Sequence, residues 1–271
     1  MSPARRRTRP RRLWLLTGAL VLAAVVIAVV ALTRPGAPIG YDVSYPQCAP
    51  GYPSNVLFGI VGVNGGVAAT ANPCLRQEIA WAGGALGQRH PAQPRLSLYI
   101  VTGNPGPRVA DWPRGGRAGR YGPCNGLLTN ACAWLYGERR AAHDRALVAA
   151  IDPAGARHAP WWLDVELTES WAGTYALNVA ALQGYLAGLR RAGPARIGVY
   201  STSAQWRDIT GLTAQTTPRA LSGGLASWLA GTTATRAVAL ANCSTVGFTG
   251  RPPTLAQYRS GAYDADLRCP A

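Results

Sequence analysis

Two carboxylates stand two residues apart in the stretch Trp161-Trp162-Leu163-Asp164-Val165-Glu166. Their neighbours are bulky and apolar, as in a buried strand. Side chains at i and i+2 of a strand point to the same side. Asp164 and Glu166 are therefore expected to face one cavity, with Trp162 and Leu163 beside them. Paired acids at close range suit glycoside hydrolysis, which needs one carboxyl protonated and one charged. The same two residues would also serve as a strand end that caps the next helix or pairs with arginine. The rest of the chain has to choose between these readings.

Acids are scarce, 12 in 271 residues, so their positions are informative. Asp42 ends the first expected strand, and Asp264 and Asp266 follow the last. Aromatic residues gather at or beside strand ends: Tyr41, Tyr45, Trp161, Trp162, Trp206, Trp228 and Tyr258. Sugar rings stack on such faces, although aromatics also fill cores. His90, His143 and His158 are isolated, without His-x-His or His-Glu-x-x-His spacing. No metal and no cofactor is expected. A serine triad is disfavoured because no Gly-x-Ser-x-Gly elbow occurs.

The six cysteines, Cys48, Cys74, Cys124, Cys132, Cys243 and Cys269, include no Cys-x-x-Cys. That argues for disulfides over zinc. Connectivity does not follow from sequence, but sequential pairing (48 with 74, 124 with 132, 243 with 269) is preferred. Disulfides imply an oxidising compartment outside the cytosol. All 27 basic residues are arginine, and the formal charge is +15. Such a balance could draw nucleic acid or an anionic surface. Many of these arginines, however, precede the first apolar run, and the others are scattered. No basic helix interleaved with stacking aromatics appears, so nucleic acid is not an expected partner.

The elements that must position the acids begin after a leader. Residues 1–12 read as a basic cytoplasmic tail and 13–32 as a transmembrane signal-anchor. The Leu13–Leu32 run is long enough to cross a bilayer core of about 30 Å. The preceding arginines should stay inside, placing the bulk of the chain outside. Secretion after signal cleavage is the competing reading. The run exceeds the ~7–15 residues usual for a signal core, and no Ala-x-Ala site follows. Residues 33–38 form a linker, and 39–271 a single domain.

Within that domain, strands are expected at 39–43, 58–63, 96–101, 161–166, 196–201, 225–229, 237–241 and 254–257. Helices are expected at 74–87, 133–151, 174–191 and 203–209. Residues 109–129, rich in Gly, Arg and Pro, read as a long excursion held by a short Cys124–Cys132 loop. Alternating strands and helices favour parallel β/α architecture, and eight strands suffice to close a (β/α) barrel. A Rossmann-type sheet is the alternative, but Val63-Asn64-Gly65-Gly66 is not its glycine fingerprint. In a barrel the carboxyl ends of the strands share one rim, and active sites lie there. Asp42, Asp164, Glu166, Asp264 and Asp266 would converge on it.

These residues also carry a resemblance. Gly40-Tyr41-Asp42-Val43-Ser44 resembles the Gly-x-Asp-x-Ser opening of the lysozyme-type muramidases of glycoside hydrolase family 25. Asp164-Val165-Glu166 is similar to their central Asp-x-Glu strand, and Gly198-Val199-Tyr200-Ser201 to their Gly-x-Tyr-Ser strand. Trp228-Leu229-Ala230 matches a Trp-(Ile/Leu)-Ala strand. Gln257-Tyr258, then Tyr263-Asp264-Ala265-Asp266, is similar to the family's ending. The matches occur in family order across residues 40–266, and the chain looks most like divergent secreted bacterial members.

The resemblance implies an irregular TIM-like barrel of five β/α units followed by three strands. It implies N-acetylmuramidase chemistry on peptidoglycan or a related cell-wall glycan. By position, Glu166 would be the general acid. Asp164 would stabilise transition-state charge or hold the acetamido group, and Asp42 and Asp264 would complete the acidic rim. Tyr41, Trp162, Tyr200, Trp228, Gln257, Tyr258 and Asp266 would contact substrate. Glu166, beside tryptophans, is expected to hold its proton while a more solvated Asp164 stays ionised. One departure stands out: strand two runs into Asn64-Gly65-Gly66, where the family usually carries Lys and Glu. It supports a second reading, a catalytically inactive barrel that binds wall polysaccharide.

Overall fold

Residues 39–87, 94–191, 196–221, 224–231 and 233–270 are described by the structure, a computed structural model. The tail, membrane span and linker expected in residues 1–38 lie outside them. Among the described residues, no helix is long and apolar enough to cross a membrane.

The elements run β1 (Ile39–Val43), β2 (Gly59–Gly62), α1 (Leu75–Gly83), β3 (Leu96–Val101), then a two-residue hairpin of β4 (Gly116–Arg117) and β5 (Pro123–Cys124). They continue with α2 (Asn130–Ala149), α3 (Pro153–His158), β6 (Trp161–Asp164), α4 (Tyr175–Arg190), β7 (Ile197–Ser201), α5 (Ser203–Thr210) and α6 (Thr217–Ala220). The chain closes with β8 (Ala226–Leu229), α7 (Arg236–Asn242), β9 (Leu255–Ser260) and β10 (Tyr263–Arg268). Eight strands form a closed barrel in the order β1-β10-β9-β8-β7-β6-β3-β2. Seven run parallel; β10 is antiparallel to both of its neighbours, β9 and β1.

The expected barrel is present, but two of its expected parts change places. Residues 237–241 form a helix, not a strand. An Ala-rich run has high helix propensity, and the Thr235 hydroxyl accepts from the Val238 amide to start the helix. The eighth strand is instead β10, which carries Asp264 and Asp266 inside it rather than after it. Its inward positions are charged, so it lacks the apolar alternation by which strands are usually found.

Alternation along each strand separates two cores. Inward, Phe58, Ile60, Trp162, Tyr200, Trp228 and Leu255 pack together. Outward, residues such as Leu98, Ile100, Leu163 and Val199 pack beneath the helices, against Leu182, Tyr185, Leu189 and Trp206. Helices α2 and α4 cross very closely: a methyl group at Gly184 would overlap the Trp134 carbonyl. The Gly/Arg/Pro-rich excursion is packed down. Trp112 is buried and stacks on Tyr136 at 5.6 Å between ring centroids, and Arg140 bonds Asp111 at 2.9 Å.

The disulfides are Cys48–Cys74, Cys124–Cys132 and Cys243–Cys269, the sequential pairing. They tie the turn after β1 to α1, the excursion to α2, and the end of α7 to the end of β10. Loop closure of this kind contributes on the order of 2–4 kcal/mol per bridge.

Candidate active site

β6 ends at Asp164, and its last residues are held from both sides. Thr102, just past β3, donates its amide and its hydroxyl to the Asp164 carbonyl at 3.0 and 2.5 Å. The Val165 amide donates to Tyr200 of β7 at 3.0 Å. The Asp164 side chain is thereby fixed inward at the carboxyl end of the barrel. It is 9% exposed. Burial, and then the charges of Glu166, Glu169 and Asp42, raise its pKa well above the ordinary carboxylate value.

Glu166 lies past the strand, in the turn that follows, and is only partly buried. Gln205, in the first turn of α5, holds it. Its amide nitrogen donates to Glu166 Oε1 at 3.2 Å while its carbonyl accepts from the Leu167 amide at 2.7 Å. The Trp171 indole fixes the same turn by donating to the Glu166 carbonyl at 2.8 Å. The expected difference in burial between the two acids is therefore reversed. Asp164 is the desolvated carboxyl, because it remains in the strand, and Glu166 is the one at the rim.

Asp42 and Asp264 are cross-strand partners of β1 and β10. Gln257 of β9 donates to Asp42 Oδ2 at 2.9 Å. The Gln257 carbonyl in turn accepts from the Tyr200 hydroxyl at 2.9 Å and the Gly231 amide at 3.0 Å, which settles its orientation. Burial and the Asp264 charge push the Asp42 carboxyl up to about 7. Asp264 is ion-paired with Arg259 at 3.0 Å.

Asp42, Asp164, Glu166 and Asp264 line one cavity of about 180 Å³, together with Tyr99, Tyr200, Trp228 and Gln257. Tyr200 and Trp228 pack at 4.4 Å between ring centroids, and Tyr99 meets Trp228 edge-on at 6.2 Å. Aromatic rings beside carboxylates offer a sugar both a stacking face and polar anchors.

Four of the residues expected to touch substrate are placed elsewhere. Tyr41 and Tyr258 point to the outside of the barrel, packed with Ala239, Ala265 and Leu267. They neighbour Asp42 and Gln257 in sequence, and period-two alternation turns them away. Trp162 does face inward, but lower. It lies under Trp228 at 5.7 Å and lines a different cavity. Asp266 is completely buried beneath the rim. Burial, followed by the Asp42 charge, raises its pKa well above normal.

Two residues of the site were not anticipated. Tyr99 shares inward parity with Ser97 and Val101, so strand alternation could have found it once the register was known. Gln205 gives no sequence signal, since its role depends on α5 docking beside the β6 turn.

No family model matches the sequence. A 66-residue stretch is 39% identical to a protein of Dictyostelium discoideum described as probable GH family 25 lysozyme 4. The match covers 24% of this chain and spans 30% of that relative's length. Among solved structures, the bacterial lysozyme from Streptomyces coelicolor superposes with a TM-score of 0.53 at 13% identity, over 88% of this chain and 94% of that one. The muramidase from Trichobolus zukalii gives 0.50 at 12% identity, over 87% and 95%. At such identities the likeness is one of fold. The described residues thus share the barrel fold of those lysozymes.

Proposed function

We propose that this domain is a glycosidase that cleaves the glycan of peptidoglycan, as an N-acetylmuramidase. The observation that carries the reading is the convergence of four carboxylates on one aromatic-lined cavity at the carboxyl rim of the barrel. Glu166, held at the rim by Gln205, donates a proton to the glycosidic oxygen as the bond to the ring carbon breaks. The positive charge left on the ring favours the ionised form of the Asp164 and Asp42 carboxyls that face it, offsetting the effect of their burial. Water then adds to the ring carbon, and its proton returns to Glu166. Asp164 is close enough to Glu166 for their charges to interact, which suits it to hold the acetamido group of the same sugar. The partial match to a protein called a lysozyme supports the substrate class.

We further place the domain outside the cytoplasm, anchored by residues 13–32. The three disulfides and the apolar run Leu13–Leu32 support this.

A second reading, a barrel that binds wall polysaccharide without cutting it, draws on Asn64 at the end of β2. Its amide is used on both sides by the Val101 backbone of β3, at 3.0 and 2.9 Å, so it adds no acid or base to the cavity. One experiment separates the two. The full chain, disulfides oxidised, is incubated with purified peptidoglycan, and soluble products are read by mass spectrometry. Reducing-end muropeptides from the wild type but not from Glu166→Gln establish the enzyme. No products from either, with equal retention on the insoluble wall, would establish the binder.

A further inference from the structure

Another cavity, of about 120 Å³, is built at the carboxyl rim by the loops after β2, β3 and β6 together with α2. Val67, Ala69, Pro105 and Val109 give it aliphatic walls, and Tyr136 an aromatic one. Glu169 is the only charged residue among the described residues that line it. The Asn104 amide donates to the Ser170 carbonyl at 2.7 Å, which ties the loop after β3 to the turn that carries Glu169. Val67 and Ala69 are exposed, so the cavity opens to solvent.

Glu169 is partly buried. Burial, and then the Glu166 charge, raise its pKa to about 6, and its own charge acts on Asp164. The cavity is therefore a neighbour of the acidic one. Among the described residues, no hydrogen bond or ion pair reaches the Glu169 carboxylate. Arg140, whose charge acts on Tyr136, is ion-paired with Asp111 and Asp144 instead.

A partly desolvated carboxylate without a counter-charge favours an incoming cation. A bare metal ion such as calcium needs about 6–8 oxygen ligands, and these walls are mostly carbon. An ammonium on an aliphatic stem matches both features: the methylenes lie along apolar walls while the charged head meets the carboxylate. The face of an aromatic ring attracts the same head. An apolar cavity of about 150 Å³ holds a benzene molecule, so a chain of a few carbons fits here.

We propose that this cavity binds a short aliphatic chain ending in a primary ammonium, with Glu169 as its counter-charge. The assignment of its source rests on the muramidase reading: the chain is an amine-bearing side chain of the peptide attached to the glycan in the acidic cavity.

The first test is calorimetric titration of the full oxidised chain with n-butylammonium chloride at pH 8 and constant ionic strength. Wild type, Glu169→Gln and Ala69→Leu are compared. Ala69 lines this cavity and not the acidic one, so its variant fills the space and leaves the four rim acids in place. The expected result is saturable 1:1 binding, weakened about tenfold or more by either substitution. Absence of saturable binding in the wild type, or unchanged binding in both folded variants, would overturn the proposal. The second test compares cleavage of native peptidoglycan with peptidoglycan whose free amines have been acetylated. Acetylation should raise KM about tenfold in wild type and leave KM unchanged in Glu169→Gln. Equal KM for the two substrates in wild type would overturn the assignment to the peptide. The titration needs no glycan, so a complete lack of cleavage would count against the muramidase reading alone.

Discussion

The two ends of this barrel are built from the same strands yet have opposite chemistry. At the carboxyl rim of the parallel strands, Asp42, Asp164, Glu166 and Asp264 face a cavity; at the other end, Arg196 and Arg268 do. β10 shows the gradient within one strand. Its inward positions run Asp264, Asp266, Arg268, from the acidic rim through the buried middle to the basic end. Between the cavities lies an apolar layer in which Trp228 touches Trp162, Tyr200 and Tyr99. Three of the acids have built partners: Gln257 for Asp42, Gln205 for Glu166 and Arg259 for Asp264. Among the described residues, Arg268 Nε and Nη1 have no hydrogen-bond partner, and neither does Asp164 Oδ1. A site whose polar groups are held before substrate arrives is preorganised for transition-state charge.

The largest effect should come from the acidic end alone. Glu166→Gln should lower the rate of peptidoglycan cleavage by roughly 10²–10⁴-fold, with the circular dichroism spectrum and unfolding midpoint unchanged. A variant that unfolds would show that Glu166 also supports the rim structurally.

Removing the partition comes next. Trp228→Ala should cost about 3–5 kcal/mol of stability, measured by denaturant unfolding, because it empties the layer between the cavities. A loss under 1 kcal/mol would mean that the aromatic layer collapses to fill the space.

The third prediction concerns pH. Asp42 has a folded pKa of about 7, raised above its ordinary 3.8 by burial and by Asp264. The folded state therefore binds its proton more tightly than the unfolded state does. Stability from this group is complete below pH 3.8 and declines as pH rises toward 7. Asp42→Asn should flatten that decline and raise stability at pH 8 by roughly 1–3 kcal/mol, read from urea midpoints across pH. An unchanged slope would show that Asp42 does not carry it.

The smallest effect sharpens the role of Gln205. Losing one hydrogen bond to a carboxylate should slow cleavage by up to about tenfold in Gln205→Ala. Gln205→Glu places a like charge beside Glu166 and should shift the pH profile of cleavage upward, which a merely structural role would not do.

Much of this site can be read along the chain. The inward acids Asp42 and Asp164, together with Glu166, are found by period-two spacing next to apolar strands, and β1, β3 and β6 carry the pattern clearly. β10 and α7 do not. Pattern reading looks for apolar residues facing a core, and β10 turns charges inward because it lines two polar cavities. The Ala237–Ala241 run is apolar and short, a length at which strand and helix look alike; the Thr235 cap and alanine propensity decide for helix. Tyr41 and Tyr258 show the complementary error. Their place at strand ends and within the resembling motifs suggested substrate contact, but adjacent strand residues face opposite sides, and Asp42 and Gln257 take the inward ones.

The sequence by itself determined the barrel class, the acids that meet at its rim and the cysteines that were to pair, because strand alternation and the scarcity of charge are local properties of the chain. Only the tertiary structure decided which acid is desolvated, that Gln205 holds Glu166, that Trp162 belongs to the lower layer, and that two arginines face a second cavity. Each of these depends on distances between residues far apart in the chain. Burial and electrostatic coupling act through space, and barrel closure alone fixes which side chains share that space.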